Sequence, residues 1–186
     1  MSKKKICNNI KPSGKKVKNT SNPNNNVESD LYKNKNMIID FSFEGAFLSL
    51  EHADFNNYLM GKDDFIERFR KIMMDVQKLS SKTPMEIFNG NYRHCHKITK
   101  DKEEEKALKI IKKIFNEVEK YNFDQEVGSE EIFQLGLCSE VRLFGTRKGN
   151  VFKVYFLDYY HDFSYDEKYN LRNKKNCKFC ALKTDL

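Results

Sequence analysis

Residues 141–158 form the segment that most narrows the fold. Val141–Thr146 and Val151–Asp158 are runs of β-branched and aromatic side chains. Arg147-Lys148-Gly149-Asn150 between them has the composition of a hairpin turn, so this stretch builds two adjacent antiparallel strands. Glu131–Leu137 reads as a strand just ahead of them, and Met37–Phe43 as another far upstream. Gly45 breaks the upstream strand, and Ala46–Leu50 is either a short second strand or a turn. The chain between these strands has a different period. Phe65, Ile66, Phe69, Ile72, Met73, Val76 and Leu79 recur at helical spacing behind a cap at Asp63 or Asp64, and such a stripe needs a core to face. Thr83-Pro84 caps and opens a short helix through Phe88. A longer helix runs from Lys102 to Tyr121, with Ala107, Leu108, Ile111, Ile114, Phe115 and Val118 on its buried face. Helices followed by sequential strands predict an α+β domain. Its N-terminal strand and helices pack on one face of a mostly antiparallel sheet.

Charge divides the same chain into three parts. The net charge is +7, yet residues 37–167 alone carry −5. Residues 1–36 hold nine Lys and two acids, and residues 168–186 hold six basic residues and one acid. The first segment has too few large apolar residues to offset its ordering entropy. It reads as a disordered basic tail, followed by a folded domain over 37–169. Residues 170–186 read as a basic C-terminal extension carrying Cys177-Lys-Phe-Cys180. No apolar run approaches the ~18 residues of a membrane span, and no apolar segment near Met1 resembles a secretion signal. Five cysteines, an odd number, do not suit a secreted disulfide framework. A cytoplasmic protein with no membrane partner is the expectation.

The segment from Val141 to His161 resembles the RelE/ParE toxin superfamily. The Arg142 strand, the Gly149-Asn150 turn and the Val154–Leu157 strand match its arginine-bearing strand, tight turn and following strand. The resemblance spans roughly residues 37–165, with helices ahead of the sheet. Small phage- and plasmid-associated RelE-like proteins are similar in the His-Cys-His-Lys-Ile segment at 94–98 and in the Asp-x-x-His ending at 158–161. The resemblance implies a RelE/ParE-like fold. It implies a toxin-type activity on RNA or the ribosome, either as an endoribonuclease or as a translation inhibitor, in a toxin–antitoxin or phage-defence setting with an antitoxin as partner. RelE-type toxins are usually near half this length and strongly basic, whereas this core is acidic.

The residues themselves allow the same chemistry. Metal-independent RNA cleavage needs a base for the 2′-OH, an acid for the leaving oxygen and cations for the phosphorane. One cluster is Arg93, His94, His96 and Lys97. The other is Arg142, Arg147, Lys148, Tyr155, Tyr159, His161 and Tyr165. If the two converge, His96 and His161 are the proton-transfer pair and Arg142 and Lys97 hold phosphate, with Tyr155 beside them. Arg93, Arg147 and Lys148 then bind the rest of the nucleic acid. No cofactor is required. The plainer alternative makes the histidines hydrogen-bonded structural residues and the basic side chains a solvated face.

Cys177 and Cys180 supply half of a structural zinc site, which Cys95 and His94 complete if the C-terminus folds back. Two free thiols are the simpler reading. Phe41, Phe43, Phe152 and Phe156 are read as core rather than as an RNA-stacking surface. Asp158, Asp162, Asp166 and Glu167 are read as a solvated acidic loop rather than as a divalent-ion site. A second functional class is a non-enzymatic interaction protein on the same fold, with nucleic acid on its basic tails and a protein partner on its acidic core.

Overall fold

The computed structural model describes Tyr32 and residues 34–136, 140–164 and 174–183. The basic tail before Tyr32, and with it Cys7, lies outside the described residues. So do Cys138, Tyr165, Asp166 and Glu167.

The strand-forming runs assemble into one five-stranded sheet. Its strands are β1 (Ile38–Asp40), β4 (His96–Lys97), β5 (Ile132–Leu135), β6 (Arg142–Lys148) and β7 (Val151–Asp158). Their spatial order is β1-β7-β6-β5-β4. β5, β6 and β7 form the expected antiparallel meander, and β4 adds to it antiparallel at the β5 edge. β1 lies parallel to β7, with Ile38 opposite Val151, so the sheet is mixed. The hairpin turn is shorter than its composition implies. Lys148 already pairs with Val151, which leaves only Gly149 and Asn150 in the bend. A separate two-stranded ribbon joins β2 (Glu51–His52) to β3 (Phe55–Asn56), preceded by a 3-10 turn at Glu44–Phe47.

Helices pack against the sheet, those with described bounds being α1 (Lys62–Leu79), α2 (Pro84–Phe88), α3 (Asp101–Val118) and α4 (Phe123–Glu126). α2 opens on the expected cap. The Thr83 hydroxyl accepts the Glu86 N–H, and the Glu86 carboxylate reaches back to the Thr83 N–H at 2.7 Å. α3 buries Ala107, Ile110, Ile111, Ile114 and Phe115, close to the predicted face.

Helices cover both faces of the sheet, which corrects the one-face expectation. Side chains alternate along a strand. Leu143 and its cross-strand partner Leu135 face Ile72 and Leu79 of α1, and Phe133 meets Phe88 of α2 at 5.1 Å. On the opposite face Phe144 stacks on Phe156 at 4.5 Å and meets the tilted ring of Phe163 at 4.4 Å, and Tyr155 meets Phe115 of α3 at 5.7 Å. Phe43, Phe152 and Phe156 are fully buried, as expected of core side chains.

The α1 stripe is broader than the face it buries. Ile72 and Leu79 are inside, while Ile66 is 55% exposed and Met73 44% exposed. The C-terminal extension is fixed to the domain. Phe179 and Leu59 exchange backbone hydrogen bonds at 3.0 Å, and the Cys180 Sγ accepts the Ser49 N–H at 3.2 Å. No helix among the described residues is long and apolar enough to cross a membrane.

Candidate functional site

Antiparallel register places the first residue of β6 opposite the last residue of β7. Arg142 therefore faces Asp158 at one end of the sheet. The Arg142 side chain is buried, and it lies over Gly136, where a Cβ would stand 2.6 Å from its Cδ. A residue with any side chain at 136 would displace the guanidinium. Burial pulls Arg142 below the usual arginine range, against the opposing pull of Asp158. The Cys95 thiol donates to the Gly136 carbonyl at 3.3 Å, and burial pushes it up.

Asp158 organises the turn after β7. Its carboxylate accepts the backbone N–H groups of Tyr160 at 3.2 Å, Asp162 at 2.9 Å and Phe163 at 2.8 Å. Asp158 and Asp162 are both completely buried. The solvated acidic loop expected here is instead an internal brace, since only a carboxylate or its equivalent satisfies three N–H groups in one turn. That turn holds His161 at φ +62°, a left-handed conformation that a side-chain-bearing residue adopts only under constraint.

The turn brings His161 against His94. Their ring centroids lie 6.1 Å apart, edge to face. His94 sits just before β4, where its carbonyl accepts the Gln134 side-chain amide at 3.2 Å. Burial lowers the His94 imidazole below 6.5, and the charges of Arg142, His161, Arg93 and His96 lower it further. The arrangement is a pair of half-buried imidazoles, of which His94 lies in a positive field.

A second layer stands beside it. Asp64 accepts the Tyr160 hydroxyl and the Met60 N–H, and pairs with Arg68 at 3.3 Å. Arg68 lies over the Tyr160 ring at 4.5 Å and reaches Glu140 at 2.7 Å. Burial alone would raise Asp64, but the bonds from Tyr160, Met60 and Arg68 hold it below the ordinary carboxylate value. Asp64 is thus a tie between α1 and the His161 turn, where a helix cap was expected. The Asp64–Arg68 spacing of four is a legible helix ion pair. Nothing local in the sequence connects it to Tyr160 or Glu140.

The histidine-bearing segments do converge, but with a different partner for His161. His96 is exposed on β4, and its Nδ1 rests 3.0 Å from the Lys97 carbonyl. Lys97 is engaged by Glu131 at 2.6 Å. Tyr155 donates to the Glu126 carbonyl at 2.9 Å and packs on Phe43 in the core, where burial pushes its phenol up. His94 rather than His96 therefore faces His161, and Lys97 and Tyr155 are held elsewhere. Arg93 is exposed beside His94. Arg147 and Lys148 stand at the other end of β6, roughly 17 Å from Arg142 at the ordinary rise of a strand. The four zinc candidates do not gather into one site, and Cys177 is buried near Glu51 and Tyr58. Cys95 sits by Gly136 and His94 by His161, whereas Cys180 lies against Ser49. No group of three or more His, Cys, Asp or Glu that could hold a metal ion forms among the described residues.

The His94 field gives a direct expectation. His94 binds fewer protons folded than unfolded between its lowered value and 6.5, so its contribution to stability falls as pH drops through that window. Arg93→Gln removes one of the charges that depress it. Its imidazole midpoint then moves upward in an NMR titration, and an unmoved midpoint would mean that Arg93 does not act on it.

A family model described as "Uncharacterised protein UU032" matches residues 42–185, a span that contains the whole His94–His161 site and both C-terminal cysteines. The chain is also similar to "Uncharacterized protein UU032" of Ureaplasma parvum serovar 3. The two are 27% identical over 174 residues, which cover 91% of this chain and 94% of that protein. No solved structure matches. The match overturns the RelE/ParE resemblance. An arginine-bearing strand, a tight turn and a second strand recur across unrelated sheets, and here they belong to a different family. With its match spanning every strand of the sheet but β1, the four named helices and residues 170–185 of the C-terminal extension, the chain belongs to the UU032 family.

Proposed function

We propose that the chain acts on RNA through the His94–His161 pair, by metal-independent cleavage of a phosphodiester bond. The observation that carries this reading is the pairing of two half-buried imidazoles from distant segments among Arg142, Arg93 and His96. In the proposed step His94, kept neutral by burial and neighbouring charge, takes the proton of the 2′-OH. The 2′-oxygen attacks phosphorus and the bond to the 5′-oxygen breaks. His161 gives its proton to that leaving oxygen. The products are a 2′,3′-cyclic phosphate end and a free 5′-hydroxyl. Arg93, exposed at the mouth, holds the phosphate. Arg142 is too deeply covered to touch it and acts as a positioning charge beneath His94.

The test is incubation of purified full-length protein with a labelled single-stranded RNA in excess chelator. Cleavage to cyclic phosphate ends is expected. His94→Ala and His161→Ala should each slow it by roughly a hundredfold or more, the usual contribution of a positioned acid or base, while His96→Ala leaves it near wild type. The base limb of the pH–rate profile should have its midpoint below 6.5, following His94. Equal loss in all three variants would point to a structural role and sink the assignment. Binding of RNA that stays intact would favour the non-enzymatic interaction protein instead.

A further inference from the structure

At the hairpin end of the sheet lies a groove of about 1250 Å³, lined among others by Phe88, Phe133, Arg147, Lys148, Lys153 and Tyr155. Its charges are unequally satisfied. Lys153 is paired with Glu126. Arg147 is not matched in this way. Its guanidinium lies against a pair of touching aromatic rings, 5.6 Å from the centroid of Phe88 and 5.5 Å from that of Phe133. It donates to the Gly149 carbonyl at 3.2 Å. Its Nε is buried with no hydrogen-bond partner, and the group forms no ion pair among the described residues.

A half-covered guanidinium without a counter-ion is costly, because burial removes water and no carboxylate replaces it. Ring contacts offset part of that cost. Both rings lie on one side of the group, since their own centroids are 5.1 Å apart, so its edge and its other side stay open for hydrogen bonding. An arginine held this way matches a planar pair of oxygens on a phosphate or a carboxylate. Lys148, exposed at the rim, adds a second positive charge with no ion pair among the described residues. Asp40 and Glu130 also line the groove, so its positive charge is confined to the Arg147–Lys148 end. There two cations favour a dianion, and a phosphate monoester carries nearly two negative charges at neutral pH, whereas a carboxylate carries one. The groove extends well beyond the arginine, and its wall at Phe88 and Phe133 suits a flat ring.

We propose that this groove is a binding site for a phosphate monoester carried on a flat heterocycle, a nucleoside monophosphate, with Arg147 holding the phosphate. The site is independent of the cleavage reading, since it lies at the opposite end of β6 from the histidine pair.

Calorimetric titration of the full chain with uridine monophosphate tests the proposal, with inorganic phosphate and benzoate as separate arms. Uridine monophosphate should bind more tightly than either. Arg147→Gln should weaken it about tenfold or more, with Arg147→Lys in between because it keeps the charge and loses the fork. In the wild-type protein the backbone NMR signals of Phe133, Arg147 and Gly149 should shift on titration while those of His94 and His161 stay put. That second reading holds even if Arg147→Gln does not fold. Unshifted signals at Arg147, or an unchanged affinity in a folded Arg147→Gln, would overturn the site. Benzoate binding as tightly as the nucleotide would overturn the phosphate assignment, and inorganic phosphate doing so would overturn the flat-ring part.

Discussion

Asp158→Ala is expected to destabilise the fold by roughly 3–5 kcal/mol in urea unfolding, since each buried donor left unsatisfied costs about 1–3 kcal/mol. Three backbone N–H groups lose the carboxylate that accepts them, and the arginine opposite in register loses a carboxylate that faces it. Part of the loss is recovered by bound water, which keeps the figure below the sum of the separate penalties. Asp158→Asn should recover only some of it. One oxygen can still serve Tyr160 and Asp162, but the new amide N–H₂ points at the N–H of Phe163. The same change should release His161 from its left-handed backbone. Proposed cleavage activity would then fall in Asp158→Asn even at temperatures where that variant stays folded. A drop in stability under about 1 kcal/mol for the alanine variant would show that the turn does not depend on this carboxylate.

Gly145→Ala should be comparably damaging, by a steric route. β6 and β7 shift register between Phe144 and Gly145, so Tyr155 is the extra residue of a bulge. At that point the two backbones approach so closely that a Cβ on Gly145 would lie 1.9 Å from the Lys153 carbonyl oxygen and 3.2 Å from the Phe152 ring. The obstacle is mostly backbone in the middle of the sheet, which cannot swing aside as a side-chain tip can. The ladder has to open on both sides of the bulge. A loss of about 4 kcal/mol, at the upper end for overpacking, corresponds to a melting temperature lower by roughly 10 °C. A thermal scan that moves less than about 2 °C would mean that the sheet flexes there far more than this close approach allows.

How much of this was readable beforehand varies by element. α3 was legible because its isoleucines and Phe115 repeat on one face and its opposite face is charged. The β6–β7 meander was legible because both strands and their turn are contiguous. α1 was legible as a helix but not as a packing surface. Its apolar residues spread around more than one face, and the repeat alone does not tell Ile72, which is buried, from Met73, which is not. β4 is two residues long and has no pattern of its own, since its pairing depends on β5. That dependence also hid the choice between the two histidines. His96 falls inside the strand and turns to solvent, while His94 falls before it and turns to the sheet end. The parallel pairing of β1 with β7 left no local trace. Arg147 was singled out for its charge. Its contact with Phe88 and Phe133 needed the short helix and a strand from elsewhere in the chain.

The pairing of β1 with β7 also orders events during synthesis. Ile38–Asp40 leave the ribosome early, and their partners Val151–Lys153 are added over a hundred residues later. At cellular elongation rates of about 5–20 residues per second, that is a wait of several seconds or more. The central hairpin, local in sequence, closes within microseconds once made. The outer edge of the newest strand is therefore complete and hydrogen-bond hungry until the oldest strand returns to it. In that interval the nascent chain is most open to pairing with a neighbour instead of with its own beginning.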